Sequence, residues 1–297
     1  MNIQSLSVCV PASRCINDCE FCCSKMHGGD YEDRFTPLST TMGYIEDMKK
    51  RLQYARDNGC NTLMLTGNNE PQQNKGFLRV LGIVNQSLPN PFLNIEMQTS
   101  GAFINEEMLD FLKDVGVTTI AISVACLNNY VINQELIRTP DQNLQLETLC
   151  KNIKKRNINL RICLNMNDNM LSTYSLKDHN ALQVVLAKCK EYGADQLTCR
   201  ALWTSEDGTS QAAWIKDNVT EITYNFIKHF KEEVKVKGKY LDTLEYGADR
   251  YDFEGFSTVI DEDSMAQEAY KKAVKYLILR PDGHLYSKWD TKSSLIF

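Results

Sequence analysis

The chain switches repeatedly between two hydrophobic periods. Short apolar or β-branched runs at residues 5–10, 62–66, 92–98, 117–125, 158–166 and 196–202 read as strands. Between them lie stretches whose apolar residues recur at helical spacing. The first is 40–58, where Ile45, Met48, Leu52 and Ala55 share a face, followed by 76–88, 105–115, 142–155, 177–192 and 219–234. The punctuation agrees: Gly59, Gly116 and Gly193 supply stops, Asn105 stands where an N-cap is needed, and Pro89 closes the helix before it.

Strand–helix alternation of this kind implies a parallel sheet with right-handed crossovers. A barrel and an open doubly wound sheet both satisfy it. In either architecture the site belongs at the carboxyl ends of the strands. From Lys239 onward the pattern breaks. Residues 241–256 are rich in Tyr and Asp and read as a surface loop, and 265–275 read as a helical stretch. Residues 276–279 and 284–286 flank Pro281-Asp282-Gly283, a hairpin turn. The expected division is therefore 1–236 for the alternating domain and 237–297 for a C-terminal α+β extension.

Composition narrows the class. Of 297 residues, 43% are hydrophobic and 24% charged, which excludes a disordered or fibrous chain. Lys plus Arg is 33 against 38 for Asp plus Glu, a net charge of −5. That balance argues against nucleic acid or an anionic membrane as partner. The longest apolar stretch, about 117–127, is too short to span a bilayer. The N-terminus lacks the basic-then-apolar order of a signal peptide, so a cytoplasmic location is expected.

Cysteine usage carries the chemistry. There are 11 Cys, an odd number, so complete internal disulfide pairing is impossible. Four of them crowd into the segment from Cys15 to Cys23. Cys15, Cys19 and Cys22 stand as C-x-x-x-C-x-x-C, three thiols that can converge on one metal centre. A four-iron cluster with one open iron, a zinc ion and incidental thiols are the readings that spacing alone leaves. His27 reads as a solvated loop residue rather than a fourth ligand, and Lys25 lies near enough in sequence to touch a substrate. The scattered cysteines read mostly as small buried hydrophobes, although Cys163 shares a strand face with Asn165.

The run Cys15-x3-Cys19-x-Phe21-Cys22 resembles the signature of the radical S-adenosylmethionine (radical SAM) enzymes, C-x3-C-x-aromatic-C. Cys23 falls outside it. Other positions follow in order. Leu65-Thr66-Gly67-Asn68-Asn69-Glu70-Pro71 is similar to the family's Gly-Gly-Glu-Pro motif, with Asn68 and Asn69 in place of the glycines. Asn tolerates left-handed backbone, which would preserve the turn. Gln98-Thr99-Ser100-Gly101 is similar to the polar run near the ribose. Ser123 stands where the family often has a serine near the methionine carboxylate, and Arg138 resembles an Arg that pairs with it. Asn165 ends the fifth strand and Arg200 lies in the sixth. A charge inside a strand needs a partner, which for Arg200 is the cofactor, Glu96 or Glu70. The resemblance covers about residues 5–205.

The resemblance implies a partial (βα)6 TIM-like barrel with a [4Fe-4S] cluster on Cys15, Cys19 and Cys22. It implies S-adenosyl-L-methionine on the open iron, with Glu70 accepting from the methionine ammonium. Reductive cleavage would give a 5′-deoxyadenosyl radical that abstracts hydrogen from a substrate. An electron donor such as a reductase, flavodoxin or ferredoxin is implied as partner. No Cys follows Cys199, so an auxiliary-cluster domain is not expected, and a small-molecule substrate is favoured. Peptide modification and glycyl-radical activation are the enzymatic alternatives. A non-catalytic metal-binding scaffold is the alternative of another class, and the Asn68-Asn69 pair speaks for it.

Overall fold

The structure is a computed structural model that describes residues 2–26, 42–173, 181–206, 208–243, 248–262, 273–289 and 292–297. Its elements in chain order are β1 (Asn2–Cys9), α1 (Met42–Asp57), β2 (Thr62–Thr66), α2 (Lys75–Gln86), β3 (Asn94–Thr99), α3 (Glu106–Asp114) and β4 (Thr119–Val124). Then come α4 (Tyr130–Ile137), α5 (Leu146–Lys155), β5 (Asn159–Asn165), α6 (Asp168–Leu171), α7 (Ala181–Glu191), β6 (Gln196–Arg200), α8 (Ser210–Asn218) and α9 (Glu221–Lys237). The chain closes with β7 (Lys239–Thr243), β8 (Asp249–Phe253), β9 (Phe256–Asp261), β10 (Ala273–Leu279) and β11 (Leu285–Tyr286). No described helix is long and apolar enough to cross a membrane.

The chain forms two compact units. The first comprises Met1–Ile16, His27–Ile120 and Gln267–Phe297. In it β1 pairs in parallel with both β10 and β2, and β2 pairs in parallel with β3. Only β11, against β10, runs antiparallel. Ile3, Leu6 and Val8 of β1 are fully buried, as are Met48, Leu52 and Ala55 of α1, the face that the helical spacing marked. Asn105 caps α3, its Oδ1 accepting from the Met108 N–H at 2.9 Å, and Gly116 takes φ 97° just beyond the helix end.

The second unit comprises Asn17–Met26 and Ala121–Ala266. Here β5, β6 and β9 are parallel in that order, with Ile162 opposite Leu197 and Leu197 opposite Thr258. Helix α5 packs on β5, α7 on β6, and α9 on β8 and β9. β4 straddles the division, its first two residues belonging to the first unit. Both units are α/β, built of βα units on mostly parallel strands; among the described pairings, β10–β11, β7–β8 and β8–β9 are antiparallel.

The region after Lys239 departs from expectation. Most of 241–256 is strand rather than surface loop, with 244–247 outside the described residues: β7, β8 and β9 form a meander whose last strand continues the parallel series. The β8–β9 turn is Glu254-Gly255 at φ 53° and 76°, the pair of positive values a two-residue type I′ hairpin needs. Tyr251 and Phe253 are buried at period two while Asp252 between them is not, an alternation that the many Asp and Tyr residues masked. The segment expected as one extension is divided: β7–β9 lie in the second unit, β10–β11 in the first. Within 265–275, residues 273–275 belong to β10, and 265–272 lie outside the described residues, as does His27. The 281–283 turn joins β10 and β11 as expected, with Leu279 opposite Leu285.

Candidate active site

Most expected cofactor residues beyond the cysteine loop lie at or near the carboxyl end of a strand or just after it: Asn68, Asn69 and Glu70 after β2, Gln98 and Ser100 at β3, Ser123 in β4, Asn165 at the end of β5 and Arg200 at the end of β6; Arg138 instead ends helix α4. Open α/β sheets gather ligands at those ends because loops there converge without blocking the strand ladder.

In the first unit a polar network centres on Glu70, which is 7% exposed. Its carboxylate accepts from the Ser100 N–H at 3.0 Å, from Gln72 Nε2 at 3.0 Å and from the Thr99 hydroxyl. Gln72 Nε2 also donates to the Ala102 carbonyl at 2.9 Å. Buried charge is tolerable only when bonded in this way. Ser100 Oγ in turn accepts from the Ala102 N–H at 3.2 Å. Gln98 is half-buried and donates to Glu96 at 3.3 Å.

The same loop grips the start of the cysteine segment. Asn69 Nδ2 donates to the Val10 carbonyl at 2.6 Å, and Asn74 Nδ2 to the Pro11 carbonyl at 2.8 Å. Asn69 Nδ2 also reaches Asn68 Oδ1 at 3.3 Å. Among the described residues with positive φ, only Gly67 at 141° belongs to this turn. Asn68 and Asn69 therefore do not serve left-handed backbone, as their sequence suggested; the Asn69 amide serves as a brace.

In the second unit, Cys19, Phe21 and Cys22 lie on a short segment. The Phe21 ring is buried in a cluster with Met26, Leu136, Ile137 and Ile215 and stands 6.0 Å from the Trp214 ring. Its role here is to anchor the segment by apolar contact. The Glu20 N–H donates to the Leu136 carbonyl at 3.0 Å. Arg138 takes φ 50° at the end of α4, and its guanidinium pairs with Glu20 and, at 3.6 Å, with Asp18. A hydrogen bond from Lys25, and then its charge, hold the Asp18 carboxyl below the usual carboxylate range. Cys22 Sγ is 3.0 Å from Ser24 Oγ.

Asn165, Arg200 and Asp261 stand in register across β5, β6 and β9. The Arg200 Nε lies 3.9 Å from Asp261 Oδ2, an acidic neighbour supplied by β9. Asp261 was missed in the sequence; the Thr258-Val259-Ile260 run before it was the available strand signal. Ser123 is half-buried on β4.

All eleven cysteines are thiols. Cys15, Cys19 and Cys22 are half-buried, Cys23 is exposed, and the other seven are buried. Burial pushes Cys150 and Cys189 up to about 12, and Cys199 in the same direction. Those thiols are poor ligands, whereas the three loop thiols are accessible. Among the described residues, no group of three His, Cys, Asp or Glu side chains is gathered tightly enough to hold a metal ion. Three accessible thiols on a segment whose neighbours are tied down are a donor set that would suit an iron–sulfur cluster.

Three thiols follow β1 and a bonded carboxylate follows β2. The sequence profile of the radical SAM superfamily matches residues 9–168, more than half of the chain, and the chain belongs to that superfamily. The family's cofactors are a [4Fe-4S] cluster and S-adenosyl-L-methionine, and Cys15, Cys19 and Cys22 lie in the matched region. Solved structures agree in fold. Streptococcus suis SuiB bound to S-adenosylmethionine is 13% identical with a TM-score of 0.57, covering 96% of this chain and 60% of its own. SuiB bound to precursor peptide SuiA gives 13% and 0.56, covering 96% and 59%. Native anSMEcpe with bound AdoMet and Kp18Cys peptide is 14% identical with a TM-score of 0.62, covering 99% of this chain and 76% of its own. The chain thus spans about three fifths of SuiB. No protein with a curated description matches the sequence.

Proposed function

We propose that the protein binds a [4Fe-4S] cluster through Cys15, Cys19 and Cys22 and uses it to cleave S-adenosyl-L-methionine reductively. The observation that carries this reading is the Glu70 network. A buried carboxylate held by the Ser100 N–H, Thr99 and Gln72 is a fixed acceptor beside the segment that leads into Cys15. Glu70 would take the methionine ammonium, a charge-assisted contact. When bound, the cluster and its ligand supply a 5′-deoxyadenosyl radical able to abstract hydrogen from a substrate. Phe21 holds the thiol segment by packing. Asn68, Gln98, Ser100, Ser123, Arg138, Asn165 and Arg200 are assigned to contacts with the rest of the cofactor. A flavodoxin- or ferredoxin-type donor and a cytoplasmic location complete the reading.

A small-molecule substrate is the first assignment. A peptide substrate is the second, favoured by the peptide complexes of SuiB and anSMEcpe. The test is anaerobic reconstitution with iron and sulfide, iron quantitation, then dithionite and S-adenosyl-L-methionine with 5′-deoxyadenosine as readout. About four irons per chain and 5′-deoxyadenosine made by the wild type, but not by a Cys15→Ala, Cys19→Ala, Cys22→Ala variant, is the expected result. Zinc in place of iron, or a cluster that never cleaves the cofactor, overturns it and leaves the metal-binding scaffold. Small metabolites and peptides are then compared by which class accelerates cleavage.

A further inference from the structure

The Gln73 side chain makes a bond on each side of Cys15. Its Nε2 donates to the Arg14 carbonyl at 2.9 Å, and its Oε1 accepts from the Ile16 N–H at 3.1 Å. The same Oε1 accepts from the Glu70 N–H at 3.1 Å. The amide orientation is over-determined: two N–H donors face the oxygen and a carbonyl faces the nitrogen, so exchanging O and N would break all three bonds. Gln73 follows Pro71 in a short 3₁₀ turn, and the Glu70 bond closes a capping box there. The turn fixes the Gln73 backbone, and the side chain carries that rigidity to the peptide around Cys15. Asn69 and Asn74 hold Val10 and Pro11, the approach to this segment, but Gln73 alone of the three spans Cys15 itself.

From this geometry we infer that Gln73 is a positioning residue for the iron–sulfur centre. It clasps the backbone on both sides of Cys15, aims that thiol, and couples its position to Glu70. The inference rests on the radical SAM reading above. No sequence signal singled out Gln73, because the contact spans residues far apart in the chain and depends on an amide as donor and acceptor together.

Two variants separate the roles of the amide. Gln73→Met keeps length and loses all three bonds. Gln73→Glu keeps the acceptor for Ile16 and Glu70 and loses the donor to Arg14. Both are measured as metal-free protein by hydrogen exchange at the Ile16 and Glu70 amides. They are then reconstituted and measured by the reduced-cluster electron paramagnetic resonance spectrum and the midpoint potential.

Gln73→Met should speed exchange at both amides about fivefold or more, the loss of one modest hydrogen bond each. It should also shift the cluster spectrum and potential, with Gln73→Glu restoring both in part. Faster exchange with an unchanged spectrum and potential would make Gln73 a brace of the loop only and overturn the inference, while the radical SAM reading stands. Unchanged exchange in Gln73→Met overturns it as well. A wild type that takes up no cluster overturns both readings, and the metal-free exchange data still show whether the clasp exists.

Discussion

Cys15 stands between Arg14 and Ile16, whose backbone groups are bound by the neutral amide of Gln73 in the first unit. Cys19 stands between Asp18 and Glu20, whose carboxylates are bound by the Arg138 guanidinium in the second. One hold uses short dipolar bonds to main chain, the other ion pairs between side chains. The Arg138 and Asp18 side chains are 51% and 60% exposed, and Glu20 is 18% exposed. Amide bonds to backbone act at contact and are insensitive to salt. Exposed ion pairs are worth about 0–1 kcal/mol and weaken as ionic strength rises. Two neighbouring cysteines of one motif are therefore supported by forces with different dependence on solution conditions.

Both thiols are proposed ligands, and that role can be broken outright. Cys15→Ala and Cys19→Ala should each reduce reconstituted iron from about four per chain to below about one, because a three-thiolate loop has no spare donor. Retention of a full cluster by either variant would remove that thiol from the ligand set. The buried Cys199 makes a poor replacement, as burial pushes its thiol up and it resists deprotonation.

The next effect lies in the first unit alone. Glu70→Ala removes the acceptor for the Ser100 N–H, the Thr99 hydroxyl and Gln72 in a buried site. A destabilisation of about 3 kcal/mol or more is expected from bonds to a buried carboxylate, read as a fall in urea midpoint. Asn69→Ala should cost about 1–2 kcal/mol, since the Val10 carbonyl loses its 2.6 Å donor. An Asn69→Ala variant as stable as wild type would show that the amide is dispensable as a brace. Asn69→Gly tests the other reading: with negative φ at this residue, glycine should not be tolerated better than alanine.

Much of the first unit was legible because its signals are local. The TLMLT run is β2 to the residue, and the Asn105 cap and Gly116 stop bracket α3. Cysteine spacing and the Glu70-Pro71 pair located the site, since both are contiguous motifs. What escaped depends on distant pairing. β8 hides in a Tyr- and Asp-rich stretch whose alternation becomes plain only beside β9. Helix α4 is a short segment whose Asn133 is turned inward to accept from the Ala125 N–H at 2.8 Å, which blurs its apolar face. β10 pairs with β1 at the other end of the chain, a contact no local pattern encodes. Asp261 beside Arg200, and Gln73 around Cys15, were invisible for the same reason.

The smallest effect is the most specific to the comparison. Arg138 has φ 50°, so Arg138→Ala would confuse lost charge with a strained backbone, and Arg138→Gly would add relief of about 1 kcal/mol from left-handed geometry. Arg138→Asn removes the charge and suits the backbone. It should lower stability by less than about 1 kcal/mol. In metal-free protein, alkylation rates of Cys15 and Cys19 are then followed by peptide mapping, which also separates the exposed Cys23. Raising salt from about 0.1 M to about 1 M shortens the screening length from about 10 Å to about 3 Å. The Cys19 rate in wild type should change with salt towards the value in Arg138→Asn, and the variant should show little further change. The Cys15 rate should be flat with salt in both proteins, because the Gln73 clasp carries no net charge. Equal salt dependence at the two thiols would mean that the Arg138 pairs do not govern Cys19, leaving the Phe21 contacts and the Glu20–Leu136 backbone bond as what holds that half of the loop.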